Sequence, residues 1–133
     1  MSLKYQEYKE RNREFMDEFR RRDGVRELWN GVLYREITKG KGVKPNAKSI
    51  VLVHYRGTLI NGKRFDSTMD GGKPARFKLN ELIDGWKTAL KEMQVGSHWQ
   101  IVIPFNLGYG SRGAGAIKPY STLIFEVQLL GVS

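Results

Sequence analysis

Ile50-Val51-Leu52-Val53-His54-Tyr55-Arg56-Gly57-Thr58-Leu59 is a β-branched and aromatic run, Asn61-Gly62 follows it, and Arg64-Phe65-Asp66-Ser67-Thr68 comes next. Asn-Gly between two such runs is the strongest short hairpin signal, because both residues tolerate positive φ. The spacing predicts two antiparallel strands across a tight turn. Residues 32–37 alternate modestly and end in Lys39-Gly40-Lys41-Gly42, and residues 75–79 form a short strand after Lys73-Pro74. Residues 98–103 put Trp99, Ile101 and Ile103 on one side, and residues 122–130 do the same with Leu123, Phe125, Val127 and Leu129. Between these strands a short helix at residues 85–93 gathers Trp86, Leu90 and Met93 on one face, and Gly96 closes it. Alternation in most strands leaves one sheet face wet. The predicted class is therefore α+β, a twisted antiparallel sheet wrapped around one short helix.

Upstream the texture changes. Residues 4–22 contain neither Gly nor Pro, and Tyr5, Tyr8, Phe15 and Phe19 recur at helical spacing with Asn12 interrupting the stripe. Glu7 with Arg11, Asp17 with Arg21 and Glu18 with Arg22 form acid-first i,i+4 pairs. Asp23-Gly24 supplies the stop. This predicts an amphipathic helix about 27 Å long at ~1.5 Å per residue. Its stripe can dock on the chain's own body or pair with a second copy, and an Asn on a seam can fix register in such pairs. Met1-Ser2-Leu3 ahead of it reads as an expression start.

The 133 residues make one domain's worth of chain, large enough to bury a core without staples. No apolar run approaches the ~20 residues of a membrane span, and no segment reads as a signal peptide. The chain has no cysteine, which removes disulfides, thiolate nucleophiles and zinc-thiolate sites. A formal charge of +9 permits contact with polyanions, but no nucleic-acid readout motif accompanies it, and a solvated basic surface is the expectation. Gly108-Tyr109-Gly110-Ser111-Arg112-Gly113 has dinucleotide-fingerprint spacing, yet Pro104 precedes it, Lys118-Pro119 follows it and no βαβ unit surrounds it. It reads as a glycine-rich flap. His54 and His98 lie in different strands without metal spacing, and the serines lack an elbow motif or a His-Asp companion. Asp66 and Asp70 share a tight segment suited to turn hydrogen bonds. An enzyme built on this chain is thus expected to need no nucleophile, metal or cofactor.

Six segments occur in a fixed order: Val53-His54-Tyr55-Arg56-Gly57, Gly62-Lys63-Arg64-Phe65-Asp66-Ser67, Leu82-Ile83-Asp84-Gly85-Trp86, Met93-Gln94-Val95-Gly96, Leu107-Gly108-Tyr109-Gly110, and Thr122 to Leu130. Together they resemble the FKBP-type peptidyl-prolyl cis-trans isomerases. Asn12, Phe15, Gly24-Val25, Gly31-Val32-Leu33-Tyr34 and the Gly40-Lys41-Gly42 turn resemble the bacterial macrophage infectivity potentiator group within them. The resemblance implies that residues 31–133 are an isomerase domain. It implies that residues 1–30 are a helical linker or dimerisation arm, shortened here, through which a homodimer would form. It further implies a periplasmic or cell-envelope location, with the cytoplasm as the alternative, and folding-chaperone action on proline-containing, unfolded or partly folded proteins.

By the same resemblance, Tyr55, Phe65, Asp66, Trp86, Tyr109 and Phe125 are the catalytic set, and Leu82, Ile83 and Ile117 bind substrate. Trp86 would be the pocket floor, and the Ile83 N–H and Tyr109 hydroxyl would hold peptide carbonyls. Asp66 would either fix Tyr55 or present a polar edge to the twisting amide. Ala75, Gly71-Gly72 and the Ala116-Ile117-Lys118-Pro119 flap depart from the wider family, which implies a more open rim and weaker binding of macrolide inhibitors. Those departures also leave room for a second reading, a module that holds proline segments without catalysis.

Overall fold

The structure is a computed structural model and describes residues 3–133; Met1-Ser2 lies outside them. Helix α1 (Gln6–Arg20) follows a single 3-10 turn and leads into strands β1 (Val25–Glu27) and β2 (Leu33–Thr38). Next come β3 (Ile50–Thr58), β4 (Arg64–Ser67) and β5 (Ala75–Lys78), then helix α2 (Asp84–Glu92), β6 (His98–Ile103) and β7 (Leu123–Val132). The seven strands form one antiparallel sheet in the order β1-β2-β6-β7-β3-β4. β5 pairs with the first half of β3, through Ile50↔Lys78 to Val53↔Ala75, and β4 with the second half.

The alternation read along β3, β6 and β7 sorts residues onto two faces, as a pleated strand must. On the inner face Val53, Tyr55, Ile101, Ile103, Phe125, Val127 and Leu129 close over α2, whose Trp86, Ala89 and Leu90 are buried with them. The outer face is not uniformly wet. Leu33, Val102 and Ile124, register partners across β2, β6 and β7, are covered by α1 through Phe15, Met16 and Phe19. Further along, the outer face turns polar, with Arg35 donating to Gln100 and both Arg56 and His98 meeting Glu126.

Four local readings change. The helix runs 15 residues rather than the longer span its composition allowed, because the Arg21 and Arg22 N–H groups already close it onto the Glu18 and Phe19 carbonyls. Met16, not a member of the aromatic stripe, joins Phe19 in the buried face. Asp17 pairs with Arg13 and Arg20 at 2.9 Å, not with Arg21. At the Asn61-Gly62 turn only Gly62 takes positive φ, at 84°. There the Gly62 N–H bonds to the Leu59 carbonyl, while Asn61 uses its side chain, accepting the Lys63 N–H at 2.9 Å. The hairpin exists, but as a longer loop with a register shift at Gly57/Thr58.

Asn12 is 2% exposed and accounts for its own burial. Its amide donates to the Tyr8 carbonyl at 2.8 Å and its oxygen accepts the Thr122 N–H at 2.7 Å. A buried amide satisfied on both sides removes the desolvation cost that an unpaired one would carry. The interruption of the stripe is therefore a hydrogen-bonded weld between α1 and the start of β7.

Candidate active site

A cavity of about 310 Å3 opens at the N-terminal end of α2. Eight of the nine residues expected from sequence line it: Tyr55, Phe65, Asp66, Leu82, Ile83, Trp86, Tyr109 and Phe125. Phe77 and Glu81 line it as well. Neither stands out in the sequence: Phe77 lies inside the short strand at residues 75–79, and Glu81 directly precedes Leu82. The ninth, Ile117, is 8% exposed and packs into the main core from the flap, outside the cavity lining.

Trp86 is 4% exposed, and the rings of Tyr55, Phe77 and Phe125 stand at 90°, 90° and 89° to its plane with centroids 5.2, 6.1 and 5.2 Å away. One flat ring with three perpendicular ones makes a floor with walls, and edge-to-face pairs are a favoured aromatic geometry. Phe65 extends the wall from Phe125 at 5.5 Å and 83°. This closeness depends on Gly57. A Cβ there would stand 2.7 Å from both the Phe125 and the Phe65 ring edges.

The polar groups divide into spent and unspent. The Tyr55 hydroxyl donates to Asp66 Oδ2 at 2.6 Å. Burial first, and then the Asp66 carboxylate, push the Tyr55 ionisation well above the ordinary tyrosine range, so this hydroxyl stays a donor. The Ile83 N–H and the Tyr109 hydroxyl, by contrast, make no hydrogen bond within the described residues. Ile83 caps α2 with its carbonyl, which accepts from Trp86 and Lys87, while its own N–H takes no part in the helix.

The loop that carries Tyr109 is tied back on itself and then to α1. Gly110 donates to the Phe105 carbonyl at 2.8 Å and accepts from Tyr120 at 3.0 Å. Ser121 meets the Tyr8 hydroxyl at 2.9 Å, beside the Asn12–Thr122 contact. Tyr120 holds φ at +66°, an uncommon conformation for an aromatic residue, with its ring edge-on to Phe105 and the Lys9 ammonium 4.9 Å above it. Lys118 of the flap leans over Tyr8, on α1.

A larger groove of about 890 Å3 runs beside α1. Much of its charged lining is committed to ion pairs along the helix, Arg13 to Glu10 and Asp17, Arg20 to Asp17, and Arg11 to Glu7. Size therefore favours the groove, but convergent aromatic rings and unspent donors favour the smaller cavity, and chemistry decides for the latter.

The antiparallel sheet curved about one helix thus carries an aromatic cup of about 310 Å3, lined by two residues, Ile83 and Tyr109, whose N–H and hydroxyl are unbonded among the described residues. The family model for FKBP-type peptidyl-prolyl cis-trans isomerase matches residues 41–130, and the chain belongs to that family. It is 46% identical over 119 residues to the FKBP-type 22 kDa peptidyl-prolyl cis-trans isomerase of Escherichia coli K12, covering 89% of this chain and 58% of that protein. It is 41% identical over 130 residues to the outer membrane protein MIP of Legionella longbeachae, covering 97% and 56% respectively. The chain thus spans about half the length of these relatives. Among solved structures, FkpA from Escherichia coli superposes with a TM-score of 0.92 at 38% identity, covering 96% of this chain and 60% of that one. A peptidyl-prolyl cis-trans isomerase from Pseudomonas syringae pv. tomato gives 0.92 at 39% identity, covering 100% and 98%.

Proposed function

We propose that this chain accelerates cis-trans rotation of X-Pro bonds, and that the cavity over Trp86 is its active site. The observation that carries this is the coexistence of an aromatic cup with two unspent donors, the Ile83 N–H and the Tyr109 hydroxyl, at its rim. Rotation about a peptide bond meets a barrier of ~18–20 kcal/mol because resonance favours the planar amide. The planar form is also the more dipolar one. A cup walled by Tyr55, Phe65, Phe77 and Phe125 removes water from the amide and favours the twisted, less dipolar geometry. This is complementarity to the transition state without a covalent step. Each ~1.4 kcal/mol of such preference gives about tenfold in rate. The two donors hold flanking carbonyls so that proline alone turns, and Tyr55 with Asp66 keeps one wall polar at its tip.

The proposal extends to folding-chaperone action on proline-containing, partly folded proteins. It also includes an envelope location, supported by the name of the Legionella relative, an outer membrane protein. Residues 1–30 act in it as an arm laid on the isomerase domain of residues 31–133, a role supported by the buried Met16 and Phe19 contacts. A homodimer through α1 would have to use the helix's charged outward side, since its apolar side is engaged at home. Macrolides are expected to bind more weakly than to family members with bulkier rims.

The test is NMR exchange of short X-Pro peptides at catalytic protein concentration. Exchange faster than in buffer is expected. Binding without acceleration would leave only the module that holds proline segments, and neither would refute the site.

A further inference from the structure

The ten residues lining the cavity include two carboxylates, Asp66 and Glu81, and no lysine or arginine. The chain around them carries a formal charge of +9. The sign of the site is therefore opposite to that of the molecule. Rotation of a neutral amide gives Asp66 a place as a polar edge beside Tyr55 but calls for no second carboxylate, so Glu81 has to be explained separately.

Asp66 is partly accounted for by the Tyr55 hydroxyl. Glu81 is not. It is exposed and ends the 3-10 turn Leu79–Glu81, two residues before the Ile83 N–H, and it forms no ion pair or hydrogen bond among the described residues. The cations of the neighbouring segments are turned or spent elsewhere. Lys87 sits 3.6 Å from Asp84 and Arg64 is paired with Asp70. Arg76 and Lys78 are the exposed residues of β5, alternating with the cavity residue Phe77. A carboxylate at the rim of an aromatic cup, beside a free backbone donor, attracts a cation carried by the same segment that puts its proline in the cup.

We propose that the site selects proline segments with a lysine or arginine flanking the proline, and that Glu81 is the residue that reads this charge. The inference rests on the cavity over Trp86 being the isomerase site. Because Glu81 is exposed, its contribution is modest and salt-sensitive. The net positive charge of the protein opposes cationic peptides at long range, and Glu81→Gln raises it by one unit from +9, so the salt series separates this distant effect from the local one.

The experiment measures kcat/KM by NMR exchange for three peptide sets with lysine, leucine or glutamate placed in turn before the proline, after it, and one further on. Wild type and Glu81→Gln, an isosteric change at an exposed position, are compared at low and moderate salt. At one or more of these positions we expect the lysine-to-glutamate ratio to exceed unity by roughly 3–10-fold in the wild type. We expect Glu81→Gln to cut it at least threefold, and added salt to shrink the difference. Equal ratios in the two proteins at every position overturn the proposal. A protein inert towards all peptides, the leucine set included, overturns the isomerase reading instead. In that case the ratio of Kd values from NMR titration of the same peptides still tests the charge preference, with equal ratios again rejecting it.

Discussion

The Tyr55 hydroxyl and the Asp66 carboxylate, on neighbouring strands β3 and β4, meet at 2.6 Å and lock one wall of the aromatic cup. Tyr55 is buried at 7% exposure, while Asp66 is exposed, so the bond joins a core ring to the cavity edge. Tyr55→Phe and Asp66→Asn should each cost about 0.5–1.5 kcal/mol in urea unfolding. The double variant should cost less than their sum, since both lose the same bond. Fully additive costs would show that the bond contributes nothing.

The same pair gives the protein an alkaline limit. The Tyr55 ionisation is raised by burial and then by Asp66, so the folded state keeps a proton that the unfolded chain releases near pH ~10. Folding stability from this group is complete below that pH and declines as pH rises through the window between the unfolded and folded values. Wild type should therefore lose stability more steeply than Tyr55→Phe above pH ~10. Parallel curves in chemical denaturation would contradict this.

Tyr109 offers the cleaner separation of catalysis from folding. Its hydroxyl makes no bond within the described residues and the residue is 39% exposed, whereas Trp86 is wrapped by three rings. Trp86→Ala should cost about 3–5 kcal/mol of stability, which confounds its effect on rate. Tyr109→Phe should leave the melting temperature near wild type and lower kcat/KM by roughly 2–10-fold, the worth of one hydrogen bond. An unchanged kcat/KM would remove the hydroxyl from the mechanism.

Gly57→Ala should damage both. The added methyl would stand 2.7 Å from the Phe65 and Phe125 rings, and such overpacking costs about 1–3 kcal/mol. Because those two rings are cavity wall, kcat/KM should fall further than it does for Tyr109→Phe. Activity at the wild-type level in a destabilised Gly57→Ala protein would mean that the rings' placement is immaterial.

On the outer face, Glu126 receives His98 at 2.7 Å and Arg56 at 3.0 Å. Burial alone would raise its pKa, but these two hydrogen bonds outweigh it and hold the carboxyl below the ordinary glutamate range. Its contribution is therefore present above the unfolded value near pH ~4.3 and lost as pH falls through the lower folded value. Glu126→Gln should cost about 1 kcal/mol or less at neutral pH, given the partial exposure of all three groups, and should flatten the acid limb of a stability profile. An unaltered acid limb would rule out this cluster as its source.

Period-two patterning reads the sheet because β3 and β7 alternate between a face sealed over α2 and a more open one, and β6 departs from this only where α1 covers Val102. β1 was not readable: three residues, Val25–Glu27, have too little pattern to separate from a turn. The helix face is legible in part: Phe15 and Phe19 of the aromatic stripe pack on the sheet and Tyr8 reaches Ser121, but Met16 also fills the contact, and an unbranched thioether leaves little periodic trace. In the cavity, the residues found from sequence sit in multi-residue motifs. Phe77 and Glu81 were missed because each is an ordinary member of its own segment and acquires meaning only when β5 and the 3-10 turn fold beside Trp86.

The weld between Asn12 and Thr122 reaches further than the packing it was first seen to satisfy. From Asn12 the connections run to Thr122, back along the chain through Ser121 to Tyr120, from Tyr120 to Gly110, and so to its neighbour Tyr109 in the cavity lining. Tyr120 keeps its unusual backbone between a lysine from the helix and the ring of Phe105. The loop is thus a bridge deck with one abutment in the sheet and the other on the helix. Helix α1 bears on this loop at Thr122 as well as on the strands under Met16 and Phe19, so the segment that carries Tyr109 is braced from the helix and from the sheet together.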